Sequence, residues 1–169
     1  IIQANADVRT KSSLIEARMI AGDKDLFERV QREFKQHCIT GKEHDYLTTR
    51  RRDMRERRDQ YHTVFVQEPN VKNGCGGLRD YQNLIWISFV HYGSTSLDIL
   101  VKKRVLTKKE LEEIARAYNF LHRVRNELHY QAGRDNDILT LQQQGVVATN
   151  FKYPSRNILR RIETFMREY

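Results

Sequence analysis

The sequence predicts an all-α protein, an antiparallel helical bundle with one irregular glycine-rich loop. Three observations carry this. Only 2 prolines occur in 169 residues, so long stretches are free to stay helical. Several segments repeat apolar residues at spacings of three and four, the helical signature. Finally, Gly74, Gly76 and Gly77 gather in one stretch beside Pro69, between Glu68 and Asp80. Hydrophobic residues make up 39% and charged residues 31%, a balance that fits a folded, helix-rich chain rather than a disordered one.

Residues 8–22 admit two readings. Leu14, Glu16 and Arg18 would share one face of a short strand, or the segment is the end of a helix stopped by Gly22. Asp23 then reads as an N-cap, with Leu26, Phe27, Val30 and Phe34 at helical spacing behind it. That helix should end between Cys38 and Gly41. A second helix is expected from about Lys42 to Gln60, with a thin apolar set of Tyr46, Leu47, Met54 and Tyr61. Its middle, Arg50 to Asp59, holds 6 arginines. Arginines so placed can grip phosphates. The i,i+4 pairs Arg52–Glu56, Asp53–Arg57 and Arg55–Asp59 favour a solvated face instead.

Thr63 to Val66 favour extended geometry and lead into the glycine-rich loop. After Gly77 a buried helix should run to Tyr92, with Leu78, Tyr81, Ile85 and Phe89 on one face and Leu84, Trp86, Ile87 and Val90 widening it. Gly93 ends it, and Ser94 or Ser96 caps a short helix through Leu97, Leu100 and Val101. Thr107 and Glu110 form a capping box for the clearest helix of the chain. Its seam is Leu111, Ile114, Tyr118, Leu121, Arg125 and Leu128. Arg125 stands where an apolar residue belongs, so it needs a carboxylate or phosphate partner, with Asp80 and Glu127 as structural candidates. His129 lies one turn further on the same side. Asp135 and Asp137 read as a turn and N-cap rather than as a Mg²⁺-holding pair. Ile138 to Ala148 reads as helix and Thr149 to Pro154 as loop. A last helix should start at Pro154 or Ser155, with Ile158, Ile162, Phe165 and Met166 on one face.

Composition excludes several functions. No apolar run approaches the roughly 18 residues of a membrane span. The N-terminus lacks the pattern of a signal peptide. Cys38 and Cys75 form neither a zinc pattern nor a disulfide framework, so a reducing cytoplasm is expected. There is no Walker-type phosphate loop, no His-Glu-x-x-His and no assignable Ser/His/Asp set. The formal charge of +8 and pI near 9.6 suggest a polyanionic partner. The opening Ile1-Ile2-Gln3-Ala4 has no start-like context, and the chain is expected to be a piece of something longer.

The central stretch carries a resemblance. Glu68-Pro69-Asn70-Val71-Lys72, then Gly76-Gly77-Leu78-Arg79-Asp80, then Trp86 resembles the bacterial PII-protein uridylyltransferase/uridylyl-removing enzymes. Leu14-Ile15-Glu16-Ala17-Arg18 with Gly22-Asp23 and Leu26-Phe27 is similar to the segment closing that family's nucleotidyltransferase domain. Gly93 to Leu97, Arg123-Val124-Arg125 with Leu128-His129, and Arg134 with Asp137 and Leu139 match in order. Cys75 stands where the family has another small residue or proline.

The resemblance implies a full enzyme that moves UMP from UTP onto the PII signalling protein and removes it again, according to glutamine supply. It implies a division into residues 1–22, the edge of the nucleotidyltransferase domain, and residues 23–169, a helical bundle domain. It further implies Mg²⁺ in the full-length enzyme, and hydrolase and sensor domains elsewhere in the same chain. The family's nucleotidyltransferase motif, a Gly-Ser pair followed by an Asp-x-Asp, is not in this sequence, so the piece alone is expected to be inactive. Glu16 is the candidate third carboxylate and metal ligand if residues 12–20 form the last strand of the catalytic sheet, with Asp7 next. Asn70, Lys72, Gly76, Gly77, Arg79, Asp80, Arg125 and His129 are the candidate substrate- and nucleotide-binding residues. Lys72 and Arg79 would hold phosphates, Asn70 the base or ribose, and Asp80 would orient Arg79 or Arg125. A purely structural loop, with Glu68, Arg79 and Asp80 in one ion network, is the other reading of the same residues. The competing functions are a basic helical nucleic-acid-binding module, which no helix-turn-helix spacing or aromatic platform supports, and a related nucleotidyltransferase with another substrate.

Overall fold

The computed structural model describes residues 7–61 and 66–169. The fold is all-α. Among the described residues the only β-type pairing is an isolated bridge between Asn70 and Ile138. The expected extended segment at Thr63, Val64 and Phe65 lies outside the described residues. The chain divides into two compact units, Ile1–Glu56 with Gln82–Lys108, and Arg57–Tyr81 with Lys109–Tyr169.

In the first unit, α1 spans Val8–Ile15. The strand reading of this segment is therefore corrected. Asp7 caps the helix by accepting the Thr10 N–H at 2.8 Å, and Ser12 returns its hydroxyl to the Val8 carbonyl at 2.7 Å. Helix α2 is Lys24–Phe34, opened by Asp23, whose carboxylate accepts from the Asp25 and Leu26 amides at 2.8 and 3.1 Å. It runs into a π-helical turn, Lys35–Ile39, and the chain then turns through Gly41 at φ +77°. Leu26 and Val30, expected to face a core, are 57% and 40% exposed, because α2 buries only Phe34. Helices α3 (Glu43–Tyr61) and α4 (Leu78–Tyr92) follow the expected bounds closely, and Gly93 ends α4 at φ +70°. In α5 (Asp98–Lys102) the N-cap is Leu97, without a side-chain bond, although the Ser96 hydroxyl accepts the Asp98 N–H at 3.4 Å.

The core of this unit is Ile15, Phe34, Cys38, Ile39, Tyr46, Trp86 and Val90. Polar groups are threaded through it. Ser12 and Tyr46 share a hydroxyl bond at 2.8 Å, and Trp86 Nε1 donates to Glu16 Oε1 at 2.6 Å. Arg50, only 7% exposed, lies 5.1 Å over the Trp86 ring and donates to Asp53 at 2.7 Å. The arginine run is thus not uniformly solvated.

In the second unit, α6 is Lys108–Ala132, starting directly after Thr107. Helix α7 is Leu141–Asn150 rather than starting at Ile138. Ile138 is held in the bridge to Asn70, and Thr140 with Gln143 makes a capping box that sets the helix start three residues further on. Helix α8 is Ile158–Glu168. Asn157, not Pro154 or Ser155, caps it by accepting the Leu159 and Arg160 amides. The core joins Val71 and Leu78 of the loop to Leu121, Val124 and Leu128 of α6, with Leu139, Val147, Ala148 and Phe165. The loop is therefore anchored by apolar burial at both of its ends. Among the described residues, no helix is long and apolar enough to cross a membrane.

Candidate functional site

The loop from Glu68 to Asp80 is folded mostly by its own backbone. The Asn70 side chain accepts the amides of Lys72 and Asn73 at 3.1 and 2.7 Å, an Asx turn that starts the reversal. Leu78 and Arg79 donate their N–H groups to Val71 and Lys72 at 3.0 and 2.9 Å, which closes it. Gly77 sits at the crossing point. A β-carbon there would meet the carbonyl oxygens of Val71, Gly74 and Lys72 at 2.8, 2.9 and 2.9 Å. Its missing side chain is thus used up by the loop's own carbonyls. Gly76, at φ +75°, faces open space.

The loop is strapped to the segment before α7. Val71 N–H donates to the Asp137 carbonyl at 2.8 Å, and Leu139 N–H to the Pro69 carbonyl at 2.9 Å. The Glu68 carboxylate accepts the Leu141 N–H at 2.9 Å, at the positive end of α7. Gln144, 3% exposed, donates to the Gln67 carbonyl at 2.6 Å.

This strap puts the Asp137 carboxylate against two cations and an imidazole. Arg125 Nε donates to Oδ1 at 2.6 Å, Lys72 Nζ lies 3.6 Å from Oδ2, and His129 Nε2 lies 3.5 Å from Oδ1. Burial pushes the Asp137 acid up, but Arg125, Lys72 and His129 outweigh it and hold the carboxyl below the usual carboxylate range. The Arg125 contact runs through Nε alone, so Asp137 does not use the two-pronged face of the guanidinium. Beside it, Tyr81 stacks on Tyr118 at 3.6 Å and His122 meets the Tyr118 ring edge-on at 4.4 Å. Burial and the Arg125 charge push His122 down, so it is neutral at pH 7.

Three expected residues, Lys72, Arg125 and His129, therefore come together, with Asn70 shaping the turn beside Lys72. Asp80 does something other than expected. It orients neither Arg79 nor Arg125; its Oδ1 accepts from Arg57 Nη2, and its Oδ2 accepts the Gly76 N–H at 2.9 Å. Arg57 also reaches the Asn73 carbonyl at 3.4 Å, so α3 braces the loop from a second side. Arg79 is half-buried in the first turn of α4. Glu68 is engaged with α7 rather than in an ion network with Asp80. Glu16 belongs to the first unit, after the last turn of α1, and accepts from Trp86. The described residues contain no group of three His, Cys, Asp or Glu side chains able to hold a metal ion. They do not by themselves fit a Mg²⁺ centre, and no step is routed through one.

Two residues were missed by reasoning from sequence. Asp137 was read as turn punctuation, although Arg125 on the seam of α6 called for a carboxylate and Asp137 lies 12 residues on. Arg57 was placed on a solvated face. The signal was its position in the series Tyr46, Arg50, Met54, Arg57 and Tyr61, spaced by four, four, three and four, all buried or half-buried.

Comparison with known proteins agrees with the loop signature. The family described as GlnD PII-uridylyltransferase matches residues 45–169. The bifunctional uridylyltransferase/uridylyl-removing enzyme of Azospirillum brasilense is 34% identical over 174 residues, covering 100% of this chain and 18% of that protein. The enzyme of the same name from Pseudomonas entomophila is 37% identical over 169 residues, covering 99% of this chain and 19% of that protein. The chain thus spans about a fifth of the length of the curated relatives it matches. No solved structure matches. With the signature loop, its strap and an aligned stretch running from Asp45 to Tyr169, this chain belongs to the GlnD PII-uridylyltransferase family.

Proposed function

We propose that this chain is the helical substrate- and nucleotide-binding region of a bifunctional enzyme that transfers UMP from UTP to the PII signalling protein and removes it. Lys72 and Arg125 present positive charge to the triphosphate with the His129 ring beside them, and Asp137 holds them in register until it arrives. The observation that supports this most is the pairing of two fixed cations, Lys72 and Arg125, with the one half-buried carboxylate of Asp137. Nucleotidyl transfer gains from fixed cations because charge builds on the phosphate oxygens. Arg79, Gly76 and Gly77 belong to the loop's shape and its edge, and Asp80 with Arg57 is its brace.

Mg²⁺ would be held by carboxylates of the full-length enzyme beyond those described here, and the 169-residue piece alone is inactive. The reading places the whole enzyme in the cytoplasm. Steady-state kinetics of the full-length enzyme tests it. Arg125→Ala should raise the UTP KM about tenfold or more, the value of one charge-assisted hydrogen bond, with the circular dichroism unchanged. A folded variant with an unaltered UTP KM would sink the proposal.

A further inference from the structure

The end of α3, from Arg57 onward, belongs to the second unit and grips the loop through one side chain. The Arg57 side chain is only 13% exposed, and its guanidinium divides its two prongs between two points of the loop. Nη2 donates to Asp80 Oδ1, and Nη1 donates to the Asn73 carbonyl at 3.4 Å. Asp80 passes the contact on, because its Oδ2 accepts the Gly76 N–H at 2.9 Å. The turn from Asn73 to Gly76 is thus held at both ends by one ion pair, and it begins directly after Lys72.

Lys72 and Arg125 owe their places to different parts of the fold. Arg125 stands on α6 beside Val124 and Leu128, both fully buried, so its position does not depend on the turn. Lys72 is carried by the loop itself. Its N–H donates to Asn70 Oδ1 at 3.1 Å, and its carbonyl accepts from the Arg79 N–H at 2.9 Å. Its Nζ lies 3.6 Å from Asp137, beyond a good hydrogen bond. An ammonium held so lightly on a flexible four-carbon stem takes its direction from its backbone. The next residue along that backbone, Asn73, is the one Arg57 fixes.

We infer that Arg57 is a positioning residue for UTP: through Asn73 and Asp80 it sets the backbone at Lys72 and so aims the Lys72 ammonium at the phosphates beside Arg125. This rests on the function proposed above for Lys72 and Arg125. It carries an upper limit, because a residue that acts through Lys72 can cost no more than the loss of Lys72 itself. Asn70 and Arg79 still hold Lys72 when Arg57 is gone. The expected loss of UTP affinity is therefore about three- to fivefold, against about tenfold for Lys72→Ala. A lysine cannot span Asn73 and Asp80 at once, so Arg57→Lys should keep the charge pair and recover only part of the loss.

Calorimetric titration of UTP into the full-length enzyme tests this as a double-mutant cycle, with circular dichroism to confirm the fold. Arg57→Ala should weaken binding about three- to fivefold in the wild-type and Arg125→Ala backgrounds, and no further in the Lys72→Ala background. A merely structural role would weaken all three alike. Asp80→Asn takes the charge from the same pair and leaves an acceptor for Gly76. It should show the same pattern at smaller amplitude, and it carries the test should Arg57→Ala not fold. The inference is overturned if the brace variants bind UTP as wild type does, or if their loss persists in full without Lys72. Undiminished UTP binding by Lys72→Ala alone is a separate failure, which removes the phosphate role of Lys72 and this inference with it.

Discussion

Replacing Asp137 by Asn removes one negative charge and little else. The bridge to the loop uses the backbone carbonyl of residue 137, which accepts from Val71 at 2.8 Å and survives the change. What is lost is the anion that Arg125 and Lys72 face. Their side chains are 23% and 32% exposed and that of Asp137 is 19% exposed, so the cluster lies between a surface pair and a buried one. Surface pairs contribute about 0–1 kcal/mol, and breaking a buried one costs about 3–5 kcal/mol. About 2 kcal/mol is the expected loss. For a chain of this size a urea m-value of about 2 kcal/mol/M converts that into a midpoint shift of about 1 M.

The loss must also depend on pH. The Asp137 carboxyl is held below its ordinary value in the folded state. Its contribution is therefore fully present above the unfolded pKa of about 4 and disappears as pH falls through the folded value. Urea titration of the 169-residue chain and its Asp137→Asn variant at pH 7, and again on acidification, measures both. Wild type should lead by about 1 M at pH 7, and the gap should narrow on acidification. Equal midpoints at pH 7, or a gap that persists unchanged as Asp137 is protonated, would refute the reasoning.

Three further outcomes follow from the geometry. Gly77→Ala should destabilise the second unit by about 2–4 kcal/mol, seen as a lower urea midpoint, because its β-carbon has three carbonyl oxygens within 2.9 Å. Arg50→Ala should cost about 2–3 kcal/mol in the same titration, whereas the exposed neighbour Arg51→Ala should stay within about 0.5 kcal/mol. Glu68→Ala should lose about 1 kcal/mol by uncapping Leu141, while Glu68→Gln, which keeps an acceptor, should lose less than half of that.

Much of the helical skeleton was legible because its signals are local. Asp23 as a cap, Gly93 as a stop and the spacing of the α6 seam each depend on residues within a turn of one another. The start of α7 was misread because Ile138 continues an apolar pattern, while a pairing with Asn70, 68 positions earlier, holds it extended. Leu14, Glu16 and Arg18 alternate as strand residues do, yet Asp7 and Ser12 supply bonds that favour a helix. The candidate site shows the same division. Lys72, Arg125 and His129 were nameable singly: one from the loop signature, one as a misfit on an apolar seam, one as its neighbour. Their meeting point was not. It is set by Asp137, whose carbonyl is pinned by Val71 across 66 residues of sequence, and no periodicity encodes that distance.

On this reading Lys72, Arg125 and His129 form a phosphate-binding cluster for UTP. Calorimetric titration of UTP into the full-length enzyme tests it most directly, with Lys72→Ala and Arg125→Ala alone and combined. Each single variant should bind UTP about tenfold more weakly, and the pair should lose more than the larger single loss. Undiminished UTP affinity in the folded double variant would contradict it.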